Sequence, residues 1–162
     1  MLEHASLQRL NTLALPTSSR LLEPVSSIPQ LRQALTFAKQ QGLAVLVLGG
    51  GSNIILRADF DGLCIHMCCR GIETRIIDND WVDVTAQAGE PWHQFVGYCL
   101  DHGAYGLENL ALIPGTVGAA PVQNVGAYGV EIKDYFSELE ALDRSSLQLK
   151  RFGLEGCGFG YR

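Results

Sequence analysis

Residues 113–129 read IPGTVGAAPVQNVGAYG, and four glycines and two prolines fall within these seventeen residues. No helical or strand periodicity of apolar residues runs through the stretch, so we predict that it forms an irregular loop. Small residues let a backbone approach a ligand closely, and peptide N–H groups can then point at an anion, most often a phosphate. Long loops without secondary structure are uncommon in compact domains and are usually functional. We therefore interpret residues 113–129 as a ligand-binding loop, with a purely structural loop as the alternative.

A second glycine cluster, GGGSN at residues 49–53, follows an apolar run at residues 43–48 that predicts a buried strand. The cluster begins like the G-x-G-x-x-G dinucleotide fingerprint, but Ile54 stands where the third glycine is required, which argues against a standard Rossmann site. Ser52 and Asn53 add side-chain donors beside the glycines, and this favours an anion site over a plain glycine turn. Two such loops predict two walls around a diphosphate-bearing cofactor.

The chain has no G-x-x-x-x-G-K-(S/T) motif, which excludes a P-loop nucleotide site. The nearest cations downstream of the glycine-rich loop are Lys133 and Arg144. A phosphate bound at this loop would therefore rely on backbone N–H groups and on the side chains of Gln123 and Asn124.

Composition narrows the class of protein. The 162 residues are 47% hydrophobic and 18% charged, as expected of a folded soluble protein with one domain or two small lobes. The formal net charge of −5, without a block of Lys or Arg, argues against nucleic-acid binding. No apolar stretch approaches the roughly 20 residues of a membrane span, and the N-terminus lacks the apolar core of a signal peptide. Five cysteines without disulfide spacing predict reduced thiols in a cytosolic compartment.

Helical periodicity predicts two helices. The first begins after the N-cap Ser27, with Gln30 as its capping-box partner, and ends at Gly42. The second begins at Pro91 and ends at Gly103. Its predicted buried face consists of Trp92, Phe95, Val96 and Cys99. Besides the run at 43–48, strands are predicted at residues 54–56, 63–67, 82–88, 137–142 and 147–152.

His66, Cys68 and Cys69 could be read as metal ligands, but they lie on an apolar strand without a second Cys or His pair at zinc spacing. We therefore predict no metal site. Cys157 has no evident base partner in the sequence, so we predict no nucleophilic role for it.

Six segments spread over nearly the whole chain carry a resemblance. In chain order they are NT at 11–12, VLGGGSN at 47–53, AGEPW at 88–92, GLENL at 106–110, the loop at 113–129, and FGYR at 159–162. Together they resemble the flavin-binding part of the bacterial UDP-N-acetylenolpyruvoylglucosamine reductase (UDP-N-acetylmuramate dehydrogenase, MurB) family. The resemblance implies an α+β, two-lobed FAD-binding domain of the vanillyl-alcohol-oxidase (PCMH) type, truncated before the substrate domain. The lobes it implies are a small one at residues 1–72 and a larger, incomplete one at 73–162.

The resemblance also implies a reaction. Members of the family use NADPH, with non-covalently bound FAD as the hydride carrier, to reduce UDP-N-acetylenolpyruvoylglucosamine to UDP-N-acetylmuramate. This is a cytoplasmic step of peptidoglycan precursor synthesis. The implied partner is therefore a UDP-sugar, and neither a nucleic acid nor a membrane is expected. Uncovered apolar surface on a truncated chain would also favour self-association.

Carried over residue by residue, the resemblance makes Arg162 the catalytic arginine and Tyr161 the tyrosine that precedes it. The family's serine proton donor and its glutamate lie beyond this pair, so we expect this chain to hold FAD without efficient turnover. The implied FAD-binding residues are Gly49, Gly50, Gly51, Ser52, Asn53, Pro114, Gly115, Thr116, Gly118, Ala119, Ala120, Gln123, Asn124, Gly126, Ala127 and Tyr128.

Two other classes of protein stay open. One is a non-catalytic flavin- or nucleotide-binding module, whose flavin spectrum would not change under anaerobic NADPH. The other is a decayed fragment that binds no flavin and stays colourless when FAD is added.

Overall fold

The computed structural model describes residues 1–160 and divides into two compact units, a first unit of Met1–Cys69 and a second unit that begins at Arg70. The first unit contains β1 (Leu2–Ser6), β2 (Ser18–Val25), α1 (Ile28–Gln40), β3 (Ala44–Leu48) and β4 (Phe60–Met67). Its four strands form one sheet in the order β1-β2-β4-β3. The pair β1–β2 is antiparallel, whereas β4 runs parallel to both β2 and β3.

The first predicted helix is confirmed as α1. The Ser27 hydroxyl accepts the backbone N–H of Gln30, as an N-cap should, while the Gln30 side chain accepts the N–H of Ser26 instead of closing the predicted box on Ser27. The helix buries Ala34, Leu35 and Ala38 and packs on β2, β3 and β4.

Two strand predictions in the first unit need correction. Residues 54–56 form no strand; the segment instead buries the Leu56 side chain in the core. The run at 43–48 does contain a strand, β3, but β3 lies at the edge of the sheet and Val47 is 48% exposed, so the prediction of burial was wrong.

The second unit contains β5 (Ile72–Ile76), β6 (Val82–Ala86), α2 (Trp92–Asp101), β7 (Gly126–Ala127), β8 (Val130–Glu131), β9 (Glu138–Leu142), β10 (Leu149–Gly153) and α3 (Leu154–Cys157). Its strands form three antiparallel pairs, β5–β6, β7–β8 and β9–β10. The turn between β9 and β10 is closed by Asp143, which accepts the N–H groups of Ser145 and Ser146. The ammonium of Lys150 and these donors hold the pKa of Asp143 well below its usual range.

Helix α2 organises the core of the second unit. It buries the predicted face, and the rings of Trp92 and Phe95 pack with their centroids 5.6 Å apart. Leu110, Val125 and Ile132 join this cluster from the chain that follows α2. The core cluster therefore anchors the chain before the glycine-rich loop at Leu110, within it at Val125 and after it at Ile132.

Candidate functional site

The GGGSN loop of the first unit is fixed by close packing against residues 10–12. Gly51 is buried, has a φ of +64°, and its carbonyl accepts both the N–H (3.1 Å) and the hydroxyl (3.4 Å) of Thr12. A Cβ on Gly51 would overlap the carbonyl oxygen of Leu10 and lie 2.8 Å from the Cα of Asn11. Only glycine combines this backbone conformation with this approach.

Asn11 holds the turn that carries Thr12. Its buried amide nitrogen donates to the carbonyls of Leu7 (2.9 Å) and Leu15 (3.2 Å), and its Oδ1 accepts the N–H of Leu15 (2.9 Å). Sequence reasoning used Asn11 only as part of a family match and missed this positioning role. The partners of Asn11 lie only four residues away, but the contact that this turn supports, between Thr12 and Gly51, joins residues 39 positions apart, and no local pattern signals it.

The glycine-rich loop of the second unit is irregular, as predicted, with two short 3-10 turns and the two-residue ladder β7–β8. Its first half is fastened to residues 88–92, which lead into α2. The N–H of Trp92 donates to the carbonyl of Gly115 (3.0 Å), and the N–H of Gly118 donates to that of Ala88 (2.9 Å). A Cβ on Gly118 would lie 2.6 Å from the Cβ of Ala88, so glycine is required for this approach.

Trp92 connects the loop to the core. The side chain is 1% exposed and its indole N–H donates to the carbonyl of Leu110 at 2.7 Å. The indole thus fixes the segment that enters the loop, while the Trp92 backbone fixes Gly115 inside it.

We expect Trp92→Ala to lower the free energy of unfolding by about 3–5 kcal/mol, because it removes a fully buried indole and its hydrogen bond. Trp92→Phe is the matched variant: it keeps an aromatic ring and leaves one carbonyl unpaired, for a loss of about 1–3 kcal/mol. Urea unfolding followed by circular dichroism measures both. Equal losses for the two variants would contradict the packing role of the ring.

Asn124 ends the second 3-10 turn in the left-handed conformation, with φ 44° and ψ 62°. It is only 6% exposed, and its amide nitrogen donates to Glu131 Oε2 (2.6 Å) and to the carbonyl of Gly160 (3.1 Å). Both partners are acceptors, so the orientation of the amide is fixed. Its Oδ1 is buried and has no hydrogen-bond partner among the residues that the structure describes. A buried acceptor without a donor is costly, and a ligand that brings an N–H or O–H group would satisfy it.

A cleft of about 210 Å³ lies beside Asn124. One wall is formed by residues 121–124 of the glycine-rich loop and the other by residues 157–160. The loop wall of the cleft is preorganised, because hydrogen bonds from Trp92 in α2 to Gly115 and from Asn124 to Glu131 in β8 fix the loop.

A family model described as an FAD binding domain matches residues 21–150. The chain belongs to this FAD binding domain family. The match includes both glycine loops and most of both units, and FAD is the cofactor of the family. The predicted FAD cofactor is therefore confirmed.

Curated relatives are similar over almost the whole of this chain. UDP-N-acetylenolpyruvoylglucosamine reductase of Pseudomonas putida is 54% identical over 99% of the chain and 47% of the relative. The same enzyme of Pseudomonas aeruginosa is 49% identical over 99% of the chain and 47% of the relative. The chain thus spans about half the length of the curated relatives it matches. The resemblance stated from the sequence motifs is confirmed.

Solved structures confirm the α+β fold of the vanillyl-alcohol-oxidase type. UDP-N-acetylenolpyruvylglucosamine reductase (MurB) of Thermus caldophilus matches with a TM-score of 0.78 at 24% identity, over 100% of this chain and 56% of that chain. A VAO-type flavoprotein of Myceliophthora thermophila matches with a TM-score of 0.60 at 14% identity, over 81% of this chain and 26% of that chain.

The residues present fit a group such as FAD. In the first unit, the N–H groups of Gly50 and Ser52 donate no backbone hydrogen bond within residues 1–160, and such groups can be presented to a phosphate. In the second unit, Asn124 Oδ1 has no hydrogen-bond donor among the described residues, and FAD carries hydroxyl and N–H groups that could donate to it. Lys133 does not stand free to bind a phosphate, because its ammonium pairs with Glu131, which raises the pKa of Lys133.

The structure separates the other predicted cofactor residues by environment. Gln123 lies with Asn124 in the cleft wall, whereas Ala120 is buried in the core and serves packing. Tyr128 is 88% exposed. Partly buried positions are Gly49, Ser52, Gly115, Thr116, Ala119, Gly126 and Ala127, and exposed ones are Gly50, Asn53, Pro114 and Gly118. Tyr161 and Arg162, the predicted catalytic pair, lie outside the described residues. The role of each of these residues stays a prediction.

His66 and Cys68 contact each other, with Nδ1 and Sγ 3.3 Å apart. No group of three or more His, Cys, Asp or Glu side chains in residues 1–160 is arranged to hold a metal ion. In the same part of the chain, no helix has the length and apolar character needed to cross a membrane.

Proposed function

We propose that this chain is the FAD-binding portion of a UDP-N-acetylenolpyruvoylglucosamine reductase. The observation that carries the proposal is 54% identity to such a reductase over 99% of the chain. The activity proposed for the whole protein is NADPH-dependent reduction of UDP-N-acetylenolpyruvoylglucosamine to UDP-N-acetylmuramate, in the cytoplasm, for peptidoglycan synthesis. A UDP-sugar is the proposed substrate partner.

Bound FAD would supply hydride transfer, and the chain's own residues would hold and orient it. We assign residues 49–53 and, apart from the buried Ala120, the predicted cofactor residues within 114–128 as FAD contacts. Backbone N–H groups without a backbone partner within residues 1–160, such as those of Gly50 and Ser52, would act as the donors. Gly51 and Gly118 let these loops lie close to their supporting backbone, which keeps the N–H groups in place. Asn124 offers its Oδ1 as an acceptor in the second loop.

We assign Arg162 and Tyr161 to the substrate side of the reaction. A guanidinium presents a planar fork of donors that suits a carboxylate, and it would stabilise negative charge that develops on the enolpyruvyl group. A charge-conserving Arg162→Lys variant tests the fork, because lysine keeps the charge and loses the bidentate geometry.

The purified chain is expected to retain flavin absorbance after it is mixed with FAD and desalted. Retention shows that the chain provides a competent cofactor site. A colourless protein that is folded by circular dichroism would contradict the proposal. Bleaching of the bound flavin by anaerobic NADPH would then support the reductase portion over a passive flavin module.

Self-association of the chain is also proposed. The β5–β6 hairpin exposes the apolar side chains of Ile76, Ile77 and Trp81 near its tip. Exposed apolar groups of this kind favour association. Light scattering is expected to show a species larger than the monomer, and a sharp monomer at all concentrations would count against it.

A further inference from the structure

We propose that Cys157 is a thiol modification site in the wall of the cofactor cleft, and that its alkylation and FAD binding exclude each other. The inference rests on the proposed assignment of residues 114–128 as FAD contacts. It concerns a residue for which sequence reasoning predicted no chemical role.

The position of Cys157 in the cleft carries the inference. Cys157 ends the short helix α3, and Gly158, with φ +59°, turns the chain so that residues 157–160 form one wall. The opposite wall contains Asn124, whose Oδ1 is buried and unpaired among the described residues. Asn124, whose Oδ1 lacks a donor within residues 1–160, thus lines a cleft of about 210 Å³, and this marks the space as a place for a ligand that brings a donor.

Cys157 also differs from most of the other cysteines in its exposure. Cys64, Cys69 and Cys99 are buried, and burial raises the pKa of the Cys64 and Cys99 thiols to about 11. Since the thiolate is the reactive form, these thiols are protected twice, by burial and by protonation. Cys157 and Cys68 are partly exposed, and Cys68 does not line the cleft. Cys68 is therefore an internal reference for Cys157.

The chemical step is addition of the Cys157 thiolate to a soft electrophile such as a maleimide. A bond forms between Sγ and one alkene carbon, and the neighbouring carbon takes a proton from water, so no oxidant or reductant is needed. The adduct occupies space beside Asn124 that an FAD group would otherwise fill. Conversely, FAD in the cleft covers Sγ.

The experiment measures N-ethylmaleimide labelling of Cys157 and Cys68 in the same sample by peptide mass spectrometry, with and without FAD. With FAD at ten times its measured Kd, about a tenth of the chain is free, so Cys157 labelling is expected to slow about tenfold. Cys68 labelling is expected to slow much less. In the reverse direction, labelled wild-type chain is expected to lose FAD binding, while Cys157→Ser treated with the same reagent keeps it.

The outcomes separate the two proposals. If FAD binds and Cys157 is labelled at an unchanged rate, or slows only as much as Cys68, the inference is wrong and the proposed function stands. A chain that binds no FAD before labelling overturns both. The protection measurement uses the wild-type chain, so it decides the matter even where Cys157→Ser fails to fold.

Discussion

Gly51→Ala is expected to lower the free energy of unfolding by about 3 kcal/mol or more and to abolish FAD retention. The added Cβ would overlap the Leu10 carbonyl and approach the Cα of Asn11, which are backbone atoms that cannot rotate away. The loop must then move, and the two hydrogen bonds from Thr12 to Gly51 are lost with it. Urea unfolding and flavin absorbance after desalting measure the two effects.

Gly42→Ala is the matched control for this substitution. Gly42 has nearly the same backbone conformation, with φ +63°, but nothing lies within 4 Å of the position of its Cβ. The control therefore measures only the free-energy cost of placing alanine in the left-handed conformation, about 1–2 kcal/mol, without the overlap between a Cβ and the Leu10 carbonyl. FAD retention by Gly42→Ala should match the wild type. Equal destabilisation by the two variants would show that the approach of Gly51 to Leu10 has no energetic consequence.

Elements with strong local signals were predictable from the sequence. The serine N-cap and apolar spacing gave α1, and the Pro91-to-Gly103 pattern gave α2 with its buried face. The hairpin β9–β10 followed from two strand-forming runs around Asp143. In each case the residues that specify the element lie within about fifteen positions of one another.

Elements that depend on distant partners were not predictable. Strand β2 contains Pro24, and a proline in the sequence argues against a strand. In the structure, however, β1 pairs with β2 only as far as Leu22. The missing N–H of Pro24 therefore interrupts no hydrogen bond between β1 and β2. The same limit applies to the site. Glycine composition located both loops, whereas the contacts that fix them join distant residues: Thr12 and Gly51 are 39 positions apart, and Trp92 and Leu110 are 18 positions apart.

Asn124→Asp is expected to destabilise the second unit by about 3 kcal/mol, although the substitution changes one atom and almost no volume. A carboxylate oxygen would replace the amide nitrogen that now donates to Glu131 Oε2 and to the Gly160 carbonyl. The Glu131 carboxylate and the Gly160 carbonyl would then both face a new carboxylate at position 124, where the residue is only 6% exposed. Because acid protonates carboxylates, the stability gap to the wild type is expected to narrow as the pH falls from 8 to 5.

Asn124→Gly separates this charge effect from loss of the side chain. Glycine tolerates the φ of 44° better than any other residue, and it removes both the donor and the acceptor without adding charge. Its expected loss of stability is about 1 kcal/mol, and its affinity for FAD should fall about fivefold because the Oδ1 acceptor is gone. Urea unfolding at several pH values and flavin fluorescence titration measure both variants. If Asn124→Asp were no less stable than Asn124→Gly at pH 8, the bond from Asn124 to Glu131 would not hold this loop. An unchanged FAD affinity of Asn124→Gly would show that the Oδ1 acceptor does not contribute to FAD binding.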